Sequence, residues 1–390
     1  MNSFCIDMGY NSLFKYGEQL CGDHIEVVQK SGDLTVMVLA DGLGSGVKAN
    51  ILSTLTAKII STMMAQSMSI EDCVYTVAST LPICGERKVA YSTFTIIIIE
   101  DNINAEIIQY DNPHVIMLRD GRNYKYPMTT MNIDNKVIYR SKILLKENDT
   151  LVAMSDGAIH AGPEMKLNYN WERDNIIDFL QIMYESDFTA KTLTTILLDE
   201  CNKLYCRKPS DDTTVCTIRL RKRKPVNLLI GPPAHSTDVS KMMSLFFSKE
   251  GKHIVCGGTT SQLAAEFLGK SIKSNTRYID PEIPPTSTID GVDLVTEGVI
   301  TISRVLVYAE NYLEDNSKYT EWGYKKDGAS LIARMLFEEA TDINFFVGKA
   351  VNPAHQNPEL PINFTIKMHL IEELSKRLQK MGKEIKITYF

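Results

Sequence analysis

Residues 36–60 read VMVLADGLGSGVKANILSTLTAKII, and the reading of this stretch decides the fold. The apolar run 36–40 predicts a buried strand. It ends in Asp41-Gly42-Leu43-Gly44-Ser45-Gly46, and an amphipathic helix follows. A strand end holds a carboxylate rigidly, and the glycines let the chain turn at little steric cost. Three more places, working outward, repeat that grammar. Gly22-Asp23 precedes the strand-like HIEVVQK, Asp156-Gly157 follows the apolar run 151–154, and Asp211-Asp212-Thr213-Thr214 leads into a strand at 215–220. Any one of these pairs is an ordinary turn. Four carboxylates, each beside a strand, suit a shared site for hard cations, because magnesium and manganese prefer oxygen ligands.

The order Gly22-Asp23, Asp41-Gly42-Leu43-Gly44-Ser45-Gly46 with its helix, Ser155-Asp156-Gly157 and Ser210-Asp211-Asp212-Thr213-Thr214 resembles the metal-dependent protein phosphatases of the 2C type. The nearest branch is that of the bacterial stage II sporulation protein E phosphatases, over about residues 17–220. Residues 91–121, YSTFTIIIIEDNINAEIIQYDNPHVIMLRDG, are similar to that branch's central strands and turn. The resemblance implies an α-β-β-α sandwich with mainly antiparallel sheets and two Mn2+ or Mg2+ ions. It also implies a phosphoserine or phosphothreonine protein as substrate, such as an anti-sigma-factor antagonist. By the same resemblance Asp41 bridges the metals, Asp23 and the Gly42 carbonyl complete one shell, and Asp156 and Asp211 hold the other ion. Asp212 stands where the family often has Asn, with the role of orienting its neighbour. Two features depart from the animal and plant members: Leu43 replaces a histidine, and the N-terminal phosphate-binding arginine has no clear counterpart. Arg119, Lys88 and His160 are candidates for contacting the phosphate or substrate. The competing reading is a non-catalytic metal-binding module that signals through partner or small-ligand binding by the second half.

The chain has 390 residues, enough for two domains. Its net charge of −6 argues against a general nucleic-acid binder. No apolar stretch reaches the roughly 18 residues that a membrane span requires. The N-terminus lacks the basic start and apolar core of a signal peptide. Eight cysteines are scattered with no CxxC pair, as for reduced thiols, so the expected location is cytoplasmic.

A hairpin through Ser31-Gly32-Asp33 is expected to set Asp23 and Asp41 at the same end of neighbouring strands. The helix after Asp41 carries Ile51, Leu55, Ile59 and Met63 at four-residue spacing, widened by Leu52 and Ile60, which predicts a core-facing stripe. An antiparallel meander follows over 90–121, then a loop over 158–170 and helices near 172–184 and 189–204. The basic run 219–224 before Pro225 marks the boundary between a catalytic domain, 1–222, and a second domain, 226–390. Strand–helix alternation in the second part predicts a small α/β unit, and a homodimer is a further expectation. There Gly257-Gly258-Thr259-Thr260-Ser261 suits either an anion-binding turn or a helix capped by Thr or Ser. Asn344, Asn352, His355 and Gln356 form a polar cluster that suits a pocket or a loop cap.

Overall fold

The structure, a computed structural model, describes residues 3–390 apart from 31–33, 81–91, 134–135, 163–170, 187, 276–277, 315 and 351–361. Contacts divide the chain into two units, Met1–Lys222 and Arg223–Phe390. Unit 1 begins with β1 (Phe4–Leu13), β2 (Asp23–Lys30), β3 (Leu34–Asp41), α1 (Gly46–Ala65) and α2 (Ile70–Thr80). A meander follows, comprising β4 (Thr93–Glu100), β5 (Asn104–Tyr110), β6 (Ile116–Arg119), β7 (Arg122–Asn123), β8 (Thr129–Ile133) and β9 (Lys136–Leu144). It closes with β10 (Thr150–Met154), α3 (Asp156–Ile159), α4 (Arg173–Met183), α5 (Ala190–Leu204) and β11 (Thr213–Lys222).

Two antiparallel sheets result, in the orders β1-β11-β10-β6-β7 and β2-β3-β4-β5-β9-β8. The period of two along β3 builds two layers of core at once. Val36, Val38 and Ala40 pack with Ile96, Ile98, Ala57 and Ile60 beneath α1 and α2. Met37 and Leu39 point the other way and meet Met117, Leu151, Cys216 and Ile218 between the sheets. Behind the five-stranded sheet, Ile116, Val152 and Val215 pack on Ile176, Leu180 and Leu197 of α4 and α5. These three apolar layers make the α-β-β-α sandwich, and each fully buried Ile or Leu contributes about 1.5–3 kcal/mol.

The stripe expected on α1 is corrected at its N-terminal end. Ile51 and Leu55 are 51% and 42% exposed, whereas Ile60 is buried as expected and shares its face with Ala49, Ser53, Thr56, Ala57 and Ser61. A row at four-residue spacing drifts by about 40° per step around a 3.6-residue helix. It therefore starts in solvent at Ile51 and reaches the core only with Ile59 and Met63, which are partly buried. Small residues on the inner face let the helix axis lie close to β2 and β3. The loop expected from residue 158 is corrected as well, since its first residues belong to α3. The hairpin residues 31–33, Lys88 and residues 163–170 lie outside the described residues.

Unit 2 alternates as its sequence does. Its elements are β12 (Pro225–Ile230), α6 (Val239–Phe247), β13 (Lys252–Cys256), α7 (Gly258–Leu268), β14 (Lys273–Ser274), β15 (Ser287–Thr288) and β16 (Leu294–Thr296). Then come α8 (Val299–Glu314), α9 (Tyr319–Trp322), α10 (Gly328–Ala333, continued by a π-helical stretch Arg334–Glu339), β17 (Asp342–Val347), α11 (Ile362–Lys380) and β18 (Glu384–Tyr389). Strands β16-β13-β12-β17-β18 are parallel, and β14 and β15 add an antiparallel edge. Counted in chain order, the parallel strands run 3-2-1-4-5, a doubly wound sheet whose order reverses between β12 and β17.

Two expectations about unit 2 change. Helix α7 starts from Gly257 at φ 106° with no side-chain cap, and the Ser261 hydroxyl donates back to the Gly257 carbonyl at 2.8 Å. Asn344 lies in β17, where its amide donates to Asn227 on the neighbouring strand at 2.9 Å. Asn352, His355 and Gln356 lie outside the described residues. In the basic run before Pro225, Arg219 and Arg221 are buried in β11, whereas Lys222 and Lys224 are exposed. Among the described residues no helix is long and apolar enough to cross a membrane.

Candidate active site

Antiparallel pairing makes Asp23, the first residue of β2, the cross-strand partner of Asp41, the last of β3. The Gly42 N–H donates to the Gly22 carbonyl at 3.1 Å and extends the ladder past the two acids. Gly42 has no room for a side chain, since a Cβ there would lie 2.2 Å from the Ala49 carbonyl oxygen. That close approach seats α1 directly behind the acid.

The other two acids are fixed by the β10–β11 pair. The Ser155 N–H donates to the Thr214 carbonyl at 3.0 Å, and the Thr214 N–H donates to the Ser155 hydroxyl at 2.9 Å. Asp156 then opens the one-turn α3. A Cβ on Gly157 would lie 2.1 Å from the Asp212 carbonyl oxygen, and the Tyr205 hydroxyl donates to the Gly157 carbonyl at 2.7 Å. Only glycine permits α3 to start this close to the Asp211–Asp212 turn.

Asp41, Asp156 and Asp211 line one open cleft of about 980 Å³, together with Lys15, His114 and His160. Asp23 lies beneath, 5% exposed, held by hydrogen bonds to the Ser155 and Thr214 side chains. The acids act on one another. Burial first, then the charges of Asp23 and Asp156, push Asp41 up to about 10. Burial raises Asp23 to about 7 against its two hydrogen bonds, and Asp212 and Asp156 add to the rise. Asp211 is raised by burial and by Asp156. Among the described residues no three His, Cys, Asp or Glu side chains stand as a closed metal cage. The donor set nevertheless fits hard cations: it is all oxygen and clustered, and it includes Asp23 Oδ2, a buried acceptor with no hydrogen-bond partner.

Arg119 does not reach the cleft. Its guanidinium forks onto Asp149 at 2.9 and 2.6 Å and bonds the Leu144 carbonyl, a structural ion pair. His160 follows α3, its N–H on the Asp156 carbonyl at 3.1 Å, and lines the cleft. Cys21 is a packing residue: it is buried, and burial with the nearby Asp23 pushes its thiol up to about 12. Lys15 carries no motif, and its charge meets Asp211 only on folding, so no sequence signal marks it. Asp212 does more than orient its neighbour. It is 3% exposed and accepts the Lys15 N–H at 3.0 Å on Oδ1 and the Gly22 N–H at 2.8 Å on Oδ2.

Comparison with known proteins bears on the same unit. Stage II sporulation protein E of Bacillus subtilis (strain 168) is 22% identical over 240 residues, which is 60% of this chain and 28% of the relative, so the chain spans little more than a quarter of that protein. The solved phosphatase domain of the cell fate determinant SpoIIE from Bacillus subtilis is 19% identical, covering 58% of this chain and 96% of that one at a TM-score of 0.45. A second structure, of the same domain with a fragment of its regulatory domain, gives 20%, 58%, 66% and 0.49. Residues 31–221 match the family described as stage II sporulation protein E. Residues 31–221 of this chain, within unit 1, are thus similar to the stage II sporulation protein E family.

Proposed function

We propose that unit 1 is a Mn2+- or Mg2+-dependent phosphatase of phosphoserine and phosphothreonine proteins. The observation that carries this reading is the gathering of Asp23, Asp41, Asp156 and Asp211 from four separate strand ends at one cleft, with three of them raised by burial and by mutual repulsion. Carboxylates this crowded cannot all ionise without a cation.

Asp41 has two oxygens with which to serve both of two ions. Asp23 and the Gly42 carbonyl would complete one site, and Asp156 and Asp211 the other. When bound, such ions lower the pKa of water and neutralise charge on phosphoryl oxygens, the two demands of phosphate-ester hydrolysis. The chain's own residues hold that arrangement. The β2–β3 ladder fixes the spacing of Asp23 and Asp41, and the Ser155–Thr214 bonds fix that of Asp156 and Asp211. The cleft is open and polar, with Tyr110, Tyr139 and Lys136 on its walls, which suits a peptide segment carrying a phosphate. A phosphorylated anti-sigma-factor antagonist is the finer substrate assignment that the family suggests.

The test uses the full chain, Mn2+ or Mg2+ and a phosphoserine protein. Asp41→Asn is expected to lower turnover by roughly a thousandfold with the fold retained, since a metal site contributes several kcal/mol to such a barrier. Undiminished metal-dependent hydrolysis by that variant would remove the reading.

A further inference from the structure

Three neighbouring parallel strands of unit 2 end at one level. Ile230 of β12 is in register with Cys256 of β13 on one side and with Val347 of β17 on the other. The next residue on each strand is a glycine, so Gly257, Gly231 and Gly348 form a row across the carboxyl edge of the sheet. With strands about 4.8 Å apart, the row spans roughly 10 Å. Gly257 and Gly231 have φ of 106° and 78°, a region that favours glycine, and a Cβ on Gly348 would strike the Gly231 and Pro232 carbonyls. This stretch of the edge is therefore bare backbone. It is also where the strand order reverses, between β12 and β17, and open α/β sheets bind ligands in the crevice beyond such a reversal.

A second, independent observation is a charge at the same place. Strand β17 leads into α11, whose second turn carries Lys367 back to the row, where its ammonium bonds the Gly348 carbonyl. The same ammonium occupies the space that a Cβ on Gly231 would need. Lys367 is 8% exposed. Among the described residues that carbonyl is its one hydrogen-bond partner, and it enters no ion pair. Burial, unopposed by any charge, lowers its pKa. A buried ammonium calls for a counter-charge. It has three donors, and one carbonyl leaves two of them for an acceptor from outside the chain.

The far end of the row has the opposite sign. Thr296 of β16 is in register with Cys256, and Glu297 follows it, with Oε1 4.0 Å from where a Cβ on Gly258 would stand. That carboxylate opposes an anion at the start of α7, although the helix has no side-chain cap there. An oxyanion is thus favoured at the β12–β17 end, and a hydroxyl or other donor at the β16 end.

We propose that the carboxyl edge of the unit 2 sheet binds a small molecule, with a phosphate or carboxylate group on Lys367 and its body lying over Gly231 and Gly257 toward Glu297. The glycines let the ligand lie against backbone, and Lys367 supplies its counter-charge. The site is separate from the acidic cleft of unit 1 and does not depend on the phosphatase reading.

The test uses the full chain without metal ion, a state in which the carboxylates of the unit 1 cleft repel anions. Calorimetric titrations use three probes: inorganic phosphate, adenosine 5′-monophosphate and citrate. At least one is expected to bind the wild-type protein, and to bind Lys367→Met about tenfold or more weakly, the loss of a charge-assisted hydrogen bond. Binding of the two phosphates without citrate assigns a phosphate ligand, and binding of citrate alone a carboxylate. No binding of any probe to the wild-type protein would overturn the proposal, as would equal binding by Lys367→Met. If Lys367→Met does not fold, Lys367→Gln, whose amide can still donate to the Gly348 carbonyl, decides in its place. Turnover of a phosphoprotein, present or absent, bears on unit 1 alone.

Discussion

At its strand ends unit 1 gathers Asp23, Asp41, Asp156 and Asp211, while unit 2 brings Gly231 and Gly348 together with Lys367 where the order of its parallel strands reverses. In unit 1 the gathered groups are alike, and they raise one another's pKa. In unit 2 the single ammonium group is 8% exposed, bonds the Gly348 carbonyl and would collide with any Cβ on Gly231. Burial alone lowers its pKa. The ends of strands in both units are places where backbone geometry can hold a functional group. The difference lies in whether the chain neutralises that group by its own packing. Unit 1 keeps several groups whose ionisation is suppressed, which is how a site stores affinity for a cation.

The pH dependence should separate the two regions most strongly. Asp41 has an ordinary value of 3.8 and is raised to about 10 in the folded protein. Between those values the folded state holds a proton that the unfolded state has released. The stability due to Asp41 is therefore complete below about 4 and is lost as pH rises toward about 10. Thermal denaturation of the metal-free protein should show this fall, and added Mn2+ should oppose it increasingly at higher pH. Lys367 has the opposite sign: its folded value is lowered, so its penalty is relieved as pH rises. A metal-free protein whose melting temperature is insensitive to pH from 4 to 9 would break the comparison.

The next largest effect is expected from Gly157→Ala. A methyl 2.1 Å from the Asp212 carbonyl must push α3 off β11. A loss of about 1–3 kcal/mol is expected on denaturant unfolding, with weaker Mn2+ binding because Asp156 moves with the turn. Stability and metal affinity both at wild-type values would mean that the packing of that turn does not position the acid. The smallest effect belongs to Lys367→Met. It removes a buried charge and keeps the aliphatic length, so the change should stay within about 1 kcal/mol. A large destabilisation would show that unit 2 relies on its charge as unit 1 relies on its acids.

Unit 1 was the more legible of the two in the sequence, for a physical reason. A carboxylate at a strand end followed by glycine is demanded by sterics at Gly42 and Gly157 alike, so backbone necessity and chemistry leave the same mark. The sandwich was implied by the family resemblance, while periodicity marked the single strands. The N-terminal half of the α1 face was not legible, because four-residue spacing is ambiguous over five turns and because small residues line much of its contact with the sheet. Lys15 and the clamping role of Asp212 were illegible, since they depend on partners nearly 200 residues apart in the chain (|i−j| of 197 and 190). Unit 2 revealed its alternation and nothing of its chemistry: its buried Lys367 lies in the second turn of a long helix, where the sequence reads as surface.

The pairing of Asp23 with Asp41 ties chemistry to folding in one further respect. Along β3, odd-numbered residues fill the inter-sheet layer and even-numbered ones the helix layer, until the strand ends at the acid itself. Deleting one residue within that strand would exchange the two layers and carry the carboxylate to the wrong side in the same stroke. A lineage of such proteins could thus lengthen or rebuild the loops around the cleft freely, while a frame error in this ladder would cost the fold before it could yield an inactive but well-packed relative.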